Sequence, residues 1–409
     1  MNECRFCGKP LTHVFVDLGE APPSNSFLTK EQLNRPEEKL SLKVFVCDNC
    51  FLVQLPEHKS AVEIFNEEYA YLSSISTSWL QHCSDYTDEM IRRFRFNEHQ
   101  RVIEIASNDG YLLQFFQKKN IPVLGIEPAA NTAAKATEKG INTMVAYFDS
   151  AVAQKLKEEN LTADLLIGNN VLAHVPSLND FVRGMKIILK PSGIITMEFP
   201  HLYHLVKEHQ FDTIYHEHYS YFSFYTVKEI FEKHGLKLFD VEELPTHGGS
   251  LRIYAAHEEN GNRIASNRVE QLLEKESKAG MQGLEYYQQF QPSIDSIKDK
   301  LLEFLRGQKM NGKKVAAYGA AAKGNTLLNY CGIHDDLIAF VADRSPFKQG
   351  KFLPGSHIPV TSEQEFFSYK PDYILILPWN IQEEITTQLK YAHGWGCRFV
   401  IAIPELRIL

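Results

Sequence analysis

An alternation of strand-like and helix-like segments, beginning near residue 101, constrains the fold of this chain more than any other feature. Segment 163–168 has no polar residue after Asp164, which is typical of a strand buried on both faces of a sheet. Strands are predicted at 101–106, 123–127, 143–146, 163–168 and 193–198, with helices at 111–119, 129–139, 149–159 and 178–189. Strands that alternate with helices form parallel sheets covered by those helices, so this run predicts an α/β domain.

A second run of the same kind occupies the last third of the chain. Strands are predicted at 314–319, 337–342, 373–377 and 398–403, with helices at 323–330 and 382–391. The polar stretch 263–306 between the two runs, broken near Gly280 and Gly283, predicts one or two connecting helices. A chain of 409 residues is long enough for about two to three domains.

The first 50 residues hold two C-x-x-C pairs, and these predict a small metal-binding module. Four of the seven cysteines are Cys4, Cys7, Cys47 and Cys50, a set that gives the closed four-sulfur shell of a structural zinc site. Free thiols or a redox pair are the alternative. Short strands are predicted at 44–46 and 52–53, and the remaining cysteines read as small buried side chains.

Net charge and hydropathy exclude some classes of binding partner and indicate the cellular compartment. The formal net charge is −8, which argues against a nucleic-acid-binding surface. No apolar run reaches the ~18 residues of a membrane span, and the first residues lack the apolar stretch of a signal peptide. We therefore expect a cytoplasmic protein that binds neither nucleic acid nor membrane, as a monomer or weak oligomer.

The ends of the first two predicted strands carry the pattern of a nucleoside site. The first strand runs into the sequence EIASNDG at 104–110, where small side chains let a ligand approach the backbone and Gly110 opens a helix. Glu127 ends the second strand, where a carboxylate can accept bonds from both ribose hydroxyls. A pyrophosphate would be repelled by Asp109, whereas a sulfonium or an ammonium group would be attracted. A dinucleotide such as NAD, or a purely structural turn, remains the alternative.

This arrangement resembles the class I S-adenosylmethionine-dependent methyltransferases. Where many members have glycine, this chain has Ala106. The resemblance implies that Asn169 and Asn170 line the cofactor and that Asp149 meets the adenine beside Phe148. The residues predicted to bind the cofactor are Glu104, Ala106, Asn108, Asp109, Gly110, Glu127, Phe148, Asp149, Asn169 and Asn170.

The segment YHEHYSYF at 215–222 is the strongest candidate for catalysis. It has no helical or strand period, and polar loops beside a parallel sheet commonly carry catalytic residues. We expect His218 to act as a general base, Glu217 to orient a histidine or hold a sugar hydroxyl, and Tyr215 to stabilise an oxyanion. His174, at a strand end, is a second candidate, and the role of His216 stays open. Packing is an equally good interpretation, whereas the zincin pattern H-E-x-x-H is absent.

Loops of the C-terminal third predict an anion site of the kind that binds a diphosphate. The sequence YGAAAKG at 318–324 places small residues and Lys323 at a helix N-terminus, where an anion is stabilised. A structural turn is the alternative interpretation. The predicted substrate-binding residues are His247, Gly248, Arg252, Lys323, Asn325, Asp343, Trp379 and Asn380.

Taken together, these motifs resemble one family over nearly the whole chain. The chain looks like a member of the three-domain, zinc-containing sugar C-methyltransferases, which include an enzyme of tetronitrose biosynthesis. The motifs that carry this resemblance are the two C-x-x-C pairs, EIASNDG, the Tyr215-x-Glu217-His218 segment, HGGSLR at 247–252, YGAAAKG and PGSHIP at 354–359. The resemblance implies an α/β fold in three parts: a zinc module at 1–70, a Rossmann-like class I methyltransferase domain at 71–260, and a second Rossmann-like α/β domain at 261–409.

The resemblance also implies a reaction. A methyl group would pass from S-adenosylmethionine to carbon 3 of a nucleotide-linked, typically dTDP-linked, 4-keto-6-deoxy sugar. His218 would remove the proton with Glu217 beside it, and Tyr215 and His174 would lie near the enolate. An epimerase or isomerase that uses the same enolate is the alternative enzyme, and a non-catalytic nucleotide-sugar-binding protein is the alternative outside catalysis.

Overall fold

The computed structural model describes residues 2–65, 72–261 and 263–409, and it contains three β-sheets. The first sheet is antiparallel and lies in the N-terminal module, with the order β1-β2-β3-β9. Its strands are β1 (His13–Ala21), β2 (Leu40–Val46), β3 (Val53–Gln54) and β9 (Ser220–Tyr221). The last of these comes from the candidate catalytic segment, so that segment completes the sheet of the module.

The second sheet has seven strands in the order β10-β11-β8-β7-β4-β5-β6. They are β4 (Val102–Ile105), β5 (Val123–Glu127), β6 (Thr143–Val145), β7 (Ala163–Asn169), β8 (Leu189–Pro200), β10 (Leu236–Leu244) and β11 (Ser250–His257). Strands β4 to β8 are parallel, and β10 and β11 are antiparallel. Leu165, Leu166 and Ile167 of β7 are fully buried, as the unbroken apolar run predicts.

Helices cover both faces of this sheet and join it to the flanking parts. They are α1 (Ala61–Ile64), α2 (Thr77–Phe94), α3 (Leu113–Gln117), α4 (Ala130–Glu138), α5 (Ser150–Glu158), α6 (Leu178–Ile188), α7 (Leu202–Lys207) and α8 (Phe224–Lys233). The predicted connector forms α9 (Asn267–Ala279), α10 (Glu285–Gln288) and α11 (Phe290–Met310). Its predicted break is confirmed, because α9 ends at Gly280.

The third sheet has the order β14-β13-β12-β15-β16-β17 and is parallel except for its last strand. Its strands are β12 (Val315–Tyr318), β13 (Val341–Ala342), β14 (Val360–Thr361), β15 (Tyr373–Ile376), β16 (Arg398–Ile401) and β17 (Arg407–Ile408). The helices are α12 (Ala322–Cys331), α13 (Glu365–Tyr369) and α14 (Gln382–Gln388). These parts pack together; for example, the Phe15 ring of β1 stacks on Phe290 of α11 at 4.7 Å between centroids.

Several elements are shorter than their sequence patterns predict, and two of them are shorter by four residues. The strand predicted at 337–342 contains only Val341–Ala342, because the amides of Leu337 and Ile338 both donate to the carbonyl of His334 and form a turn. The helix predicted at 111–119 is Leu113–Gln117. The proposed boundary at 70–71 lies outside the described residues, and the division into three domains stays a prediction. Among the residues that the structure describes, no helix has the length and apolar character needed to cross a membrane.

Candidate active site

The four N-terminal cysteines form one cluster whose geometry fits a zinc ion. The Sγ atoms of Cys4 and Cys50 lie 3.6 Å apart, and those of Cys7 and Cys47 lie 3.5 Å apart. All four sulfurs lie within 4.8 Å of one another, while a tetrahedral four-sulfur zinc site has edges of about 3.8 Å. The Gln54 side chain also donates a hydrogen bond to the Cys4 sulfur at 3.2 Å. This donor set fits a structural zinc ion with a closed shell.

A second cluster of possible metal ligands is already occupied by ion pairs. Ring nitrogens of His201 and His204 lie within 4.8 Å of a carboxylate oxygen of Glu243. However, His201 pairs with Glu276 at 2.6 Å, and Glu243 pairs with Lys275 at 2.5 Å. The Glu276 carboxylate also accepts the first amides of α8. We therefore interpret His201 as the partner of the carboxylate that caps α8, and we assign no metal to this cluster.

A cavity of about 670 Å³ lies beyond the carboxyl ends of the middle strands and brings many predicted residues together. The predicted residues that line it are Ala106, Asn108, Glu127, Phe148, Asp149, Asn169, Asn170, His174, Tyr215, Glu217, His218, His247 and Lys323. The predicted residues that do not line it are Glu104, Asp109, Gly110, Gly248, Arg252, Asn325, Asp343, Trp379 and Asn380. The cavity is lined by residues of the zinc module, the middle sheet and the C-terminal part.

The cofactor end of the cavity is built around Glu127. Its carboxylate accepts the backbone amides of Asn108 and Ala129, each at 2.9 Å. These bonds fix the carboxylate at the end of β5, although burial still raises the pKa of Glu127. The buried Oδ1 atom of Asn170 has no hydrogen-bond partner in the described structure. A carboxylate and an unpartnered amide oxygen facing one cavity fit the hydroxyl and ammonium donors of S-adenosylmethionine.

Three residues predicted to bind the cofactor lie in or beside the turn between β4 and α3 and do not line the cavity. Gly110 has a φ of +74°, and a Cβ atom there would lie 2.3 Å from Ile141 Cδ1. Asp109 pairs with Lys139 at 3.0 Å. Glu104 is fully buried, and burial raises its pKa well above the usual range. Gly110 and the Asp109–Lys139 pair therefore shape the backbone of the turn, in which Ala106 and Asn108 both have positive φ.

The catalytic end of the cavity contains two neutral histidines in defined tautomers. His218 Nδ1 lies 2.8 Å from the Thr213 carbonyl, and His174 Nδ1 lies 2.8 Å from the Glu217 carbonyl. A carbonyl oxygen only accepts, so both Nδ1 atoms carry the proton and both Nε2 atoms keep a lone pair. Burial lowers the pKa of His174 to about 4, and it lowers the pKa of His218 well below its usual value, with a smaller contribution from His174. Both rings are therefore available as bases at neutral pH.

Tyr215 and Glu217 complete this end. The Tyr215 ring lies 4.1 Å from the His218 ring, and the His174 ring lies 4.7 Å from it on another side. Burial raises the pKa of Glu217 to about 7. Glu217 Oε1 accepts a hydrogen bond at 2.5 Å from the side-chain amide of Asn25, a residue of the zinc module. Asn25 lines the cavity, but a single asparagine in a loop gave no signal in the sequence.

We call residues 215–222 the catalytic loop. His216 lies on the side of this loop away from the cavity and is 3% exposed. Its Nε2–H donates to the Leu40 carbonyl of β2 at 3.1 Å. The residue therefore anchors the loop to the zinc module, which is a structural role that the sequence left open.

The C-terminal part contributes cations to the cavity. Lys323 Nζ bonds to Asn380 Oδ1 at 2.8 Å and lies 4.6 Å from the Trp379 ring centroid. The Trp379 indole donates to Asp212 at 2.8 Å, and burial raises the pKa of Asp212 to about 6. Lys348 also lines the cavity. Trp379 and Asn380 thus fix the position of the Lys323 ammonium group without lining the cavity themselves.

Four other predicted substrate residues are placed as follows. Asp343 accepts the Ala320 amide at 2.8 Å and so shapes the turn before α12. His247 Nε2 lies 3.0 Å from the Asn170 amide inside the cavity. Gly248 has a φ of +89°, and a Cβ atom there would lie 2.5 Å from Trp379. Asn325 is buried, and both of its side-chain polar atoms lack a partner in the described structure.

Arg252 lies outside the cavity, in contrast to its predicted position near the diphosphate. Its guanidinium pairs with Glu198 at 2.9 Å and with Glu242 at 3.4 Å, and the residue is 4% exposed. Two carboxylates already neutralise this arginine inside the sheet, so the geometry gives it a structural role.

Trp79 is a cavity residue that the sequence analysis missed. It lines the cavity and stacks on His82, with 4.9 Å between ring centroids. It belongs to the first turn of α2, an element for which the sequence analysis made no prediction. An aromatic residue at the start of a helix that faces the strand ends is the signal that would have identified it.

Comparison with known proteins matches every part of the chain. Family models match residues 4–65 ("Putative zinc binding domain"), 79–241 ("Methyltransferase domain") and 245–404 ("C-methyltransferase C-terminal domain"). The C-methyltransferase NovU of Streptomyces niveus is 34% identical over 409 residues, which is 100% of this chain and 97% of that protein.

Solved structures match about half of the chain. The PH0226 protein of Pyrococcus horikoshii is 16% identical, with a TM-score of 0.38, over 46% of this chain and 94% of its own. The magnesium protoporphyrin IX methyltransferase of Synechocystis with bound S-adenosylmethionine is 13% identical, with a TM-score of 0.35, over 45% of this chain and 82% of its own.

Proposed function

The chain belongs to the family of zinc-containing, three-domain C-methyltransferases, and we propose that it methylates carbon 3 of a nucleotide-linked 4-keto-6-deoxy sugar. It is an S-adenosylmethionine-dependent enzyme, and the bound cofactor supplies an electrophilic methyl group on a sulfonium. The observation that carries the proposed substrate chemistry is the pair of neutral histidines beside Tyr215, in the same cavity as Glu127. Carbanion formation beside a ketone needs a neutral base and a hydrogen-bond donor for the oxyanion.

In the proposed mechanism, the Nε2 lone pair of His218 removes the proton from carbon 3 of the sugar. The electron pair of the broken C–H bond moves into the enolate, whose oxygen at carbon 4 accepts a hydrogen bond from Tyr215. With S-adenosylmethionine bound, Glu127 and Asn170 at the other end of the cavity would hold it; carbon 3 would take its methyl group, and the sulfur would leave as a neutral thioether. His174 lies beside His218 and orients the sugar, while Glu217 binds a sugar hydroxyl.

We place the nucleotide of the substrate toward the C-terminal part. Lys323 and Lys348 both line the cavity there, and two ammonium groups compensate the charge of a diphosphate. A dTDP-linked sugar is our proposed substrate. We further propose the cytoplasm as the compartment, because the zinc site needs four reduced thiols, and a monomer or weak oligomer as the assembly.

The test is incubation of the purified protein with methyl-labelled S-adenosylmethionine and a dTDP-4-keto-6-deoxyhexose. We expect a labelled nucleotide-sugar that is one methylene heavier than the substrate. Exchange of the carbon 3 hydrogen with solvent deuterium, without label in the sugar, would instead indicate an epimerase or isomerase. Absence of both exchange and label with this sugar would overturn the proposed substrate.

A further inference from the structure

A segment of the zinc module, residues 22–28, lies between the catalytic loop and the C-terminal part; we call it the strap. Two prolines at its start restrict its backbone. At its far end, Leu28 exchanges two backbone hydrogen bonds with Phe352 of the C-terminal part, each at 2.9 Å. The strap is thus fixed to a second part of the molecule and does not rest on the zinc module alone.

Asn25 is the strap residue that lines the cavity. Its side-chain amide donates to Glu217 Oε1 at 2.5 Å. Within the described residues, the Asn25 side chain makes this one hydrogen bond. It therefore contributes to the site through Glu217.

The backbone of the catalytic loop is held by different contacts. The Arg5 guanidinium donates to the carbonyls of Leu55 and Tyr219, and β3 pairs with β9. These contacts fix where the loop runs, but none of them holds the Glu217 carboxylate. Loss of the Asn25 amide would therefore release that carboxylate while the loop stays in place.

Resting on the function proposed above, we propose that Asn25 is a positioning residue, which holds one oxygen of Glu217 so that the other meets a sugar hydroxyl. When a neutral donor holds one oxygen of a carboxylate, the other oxygen stays free to accept a hydrogen bond from the substrate. Burial raises the pKa of Glu217, and the Asn25 bond opposes that rise. The other titratable groups facing this part of the cavity are Glu57, His174, Tyr215, His218, Lys323 and Lys348.

The first test compares Asn25→Leu, which keeps the volume but loses the donor, with Ser26→Ala on the exposed part of the same strap. For Asn25→Leu we expect kcat to fall about tenfold while the KM for S-adenosylmethionine stays within about twofold. Ser26→Ala should leave both constants within about twofold of the wild type. Unchanged zinc content and melting temperature establish folding, and Asn25→Asp is the replacement if Asn25→Leu does not fold.

A double-mutant cycle separates positioning from a general structural effect. If Asn25 acts through Glu217, Asn25→Leu changes kcat less than about twofold in a Glu217→Gln background. A full tenfold loss on top of Glu217→Gln, or wild-type kcat in Asn25→Leu alone, would overturn the proposal.

A final measurement needs no turnover and so separates this proposal from the proposed function. The carboxyl carbon of Glu217 is titrated by NMR in protein labelled with ¹³C-glutamate, and its signal is assigned by its loss in Glu217→Gln. We expect a higher Glu217 pKa in Asn25→Leu than in the wild type, because the opposing hydrogen bond is gone. An unchanged pKa would refute the positioning role even if the enzyme methylates the expected sugar.

Discussion

At the scale of single residues, the tautomer of His218 decides which ring nitrogen would act as the proposed base. Its Nδ1–H is committed to the Thr213 carbonyl, so only Nε2 can accept a proton. The lowered pKa of His218 keeps the ring neutral at neutral pH. A base that is neutral before the reaction needs no prior deprotonation.

We predict that His218→Gln lowers kcat by about 10²- to 10⁴-fold, the usual contribution of a general base. Glutamine keeps a hydrogen-bonding side chain but cannot take the proton. The matched control is His234→Gln, because His234 Nδ1 also bonds a backbone carbonyl at 2.8 Å but does not line the cavity. Initial rates of methyl transfer measure both variants, and turnover in His218→Gln close to that of the control would assign the base to another group.

A second residue-scale prediction concerns His216 and the stability of the fold toward acid. Burial lowers the pKa of His216 to about 4, below its usual value near 6.5. Below the usual value the unfolded chain binds a proton that the folded chain does not, so stability falls as the pH drops from about 6.5 toward 4. We expect His216→Gln to lose less stability than the wild type between pH 7 and pH 5, measured by urea unfolding. Equal losses in both proteins would contradict the prediction.

At the scale of elements, the turn between β4 and α3 depends on one glycine. Gly110 has a positive φ, and a Cβ atom there would collide with Ile141. We predict that Gly110→Ala lowers the free energy of unfolding by about 1–3 kcal/mol and weakens cofactor binding. The control is Gly307→Ala within α11, where a Cβ atom meets nothing within 4 Å. There we expect a gain of about 0.5–1 kcal/mol, because alanine favours the helix. Calorimetry measures both, and changes of the same sign would contradict the argument.

The elements that carry the site could be predicted from the sequence because their signals are local. Glu127 ends a short apolar strand, and the paired cysteines have a metal-ligand spacing, so both were placed from neighbouring residues alone. Arg252 shows the limit of such reasoning, since a basic residue after two glycines fits an anion site and a buried ion pair equally well. Its partner Glu198 lies 54 residues away in sequence. Asn25 and Trp79 were missed for the same reason, because tertiary packing brings them to the cavity.

At the scale of the whole molecule, the zinc module forms part of the cavity that we propose as the active site. The module supplies Asn25 to the cavity, pairs β3 with β9, and places Arg5 against the carbonyl of Tyr219. Folding of the module around zinc therefore determines the position of the catalytic loop.

We predict that loss of zinc abolishes methyl transfer and lowers the melting temperature of the protein. Cys47→Ser removes one of four ligands from a closed shell, and a structural zinc site contributes its binding energy directly to folding. The control is Cys397→Ala, because Cys397 is buried in the C-terminal part and takes no part in the cluster. Elemental analysis should give one zinc per chain in the wild type and the control, and less in Cys47→Ser. Because β9 needs β3 as its partner, activity should fall in proportion to the zinc content; full activity without zinc would show that the loop holds its place independently of the module.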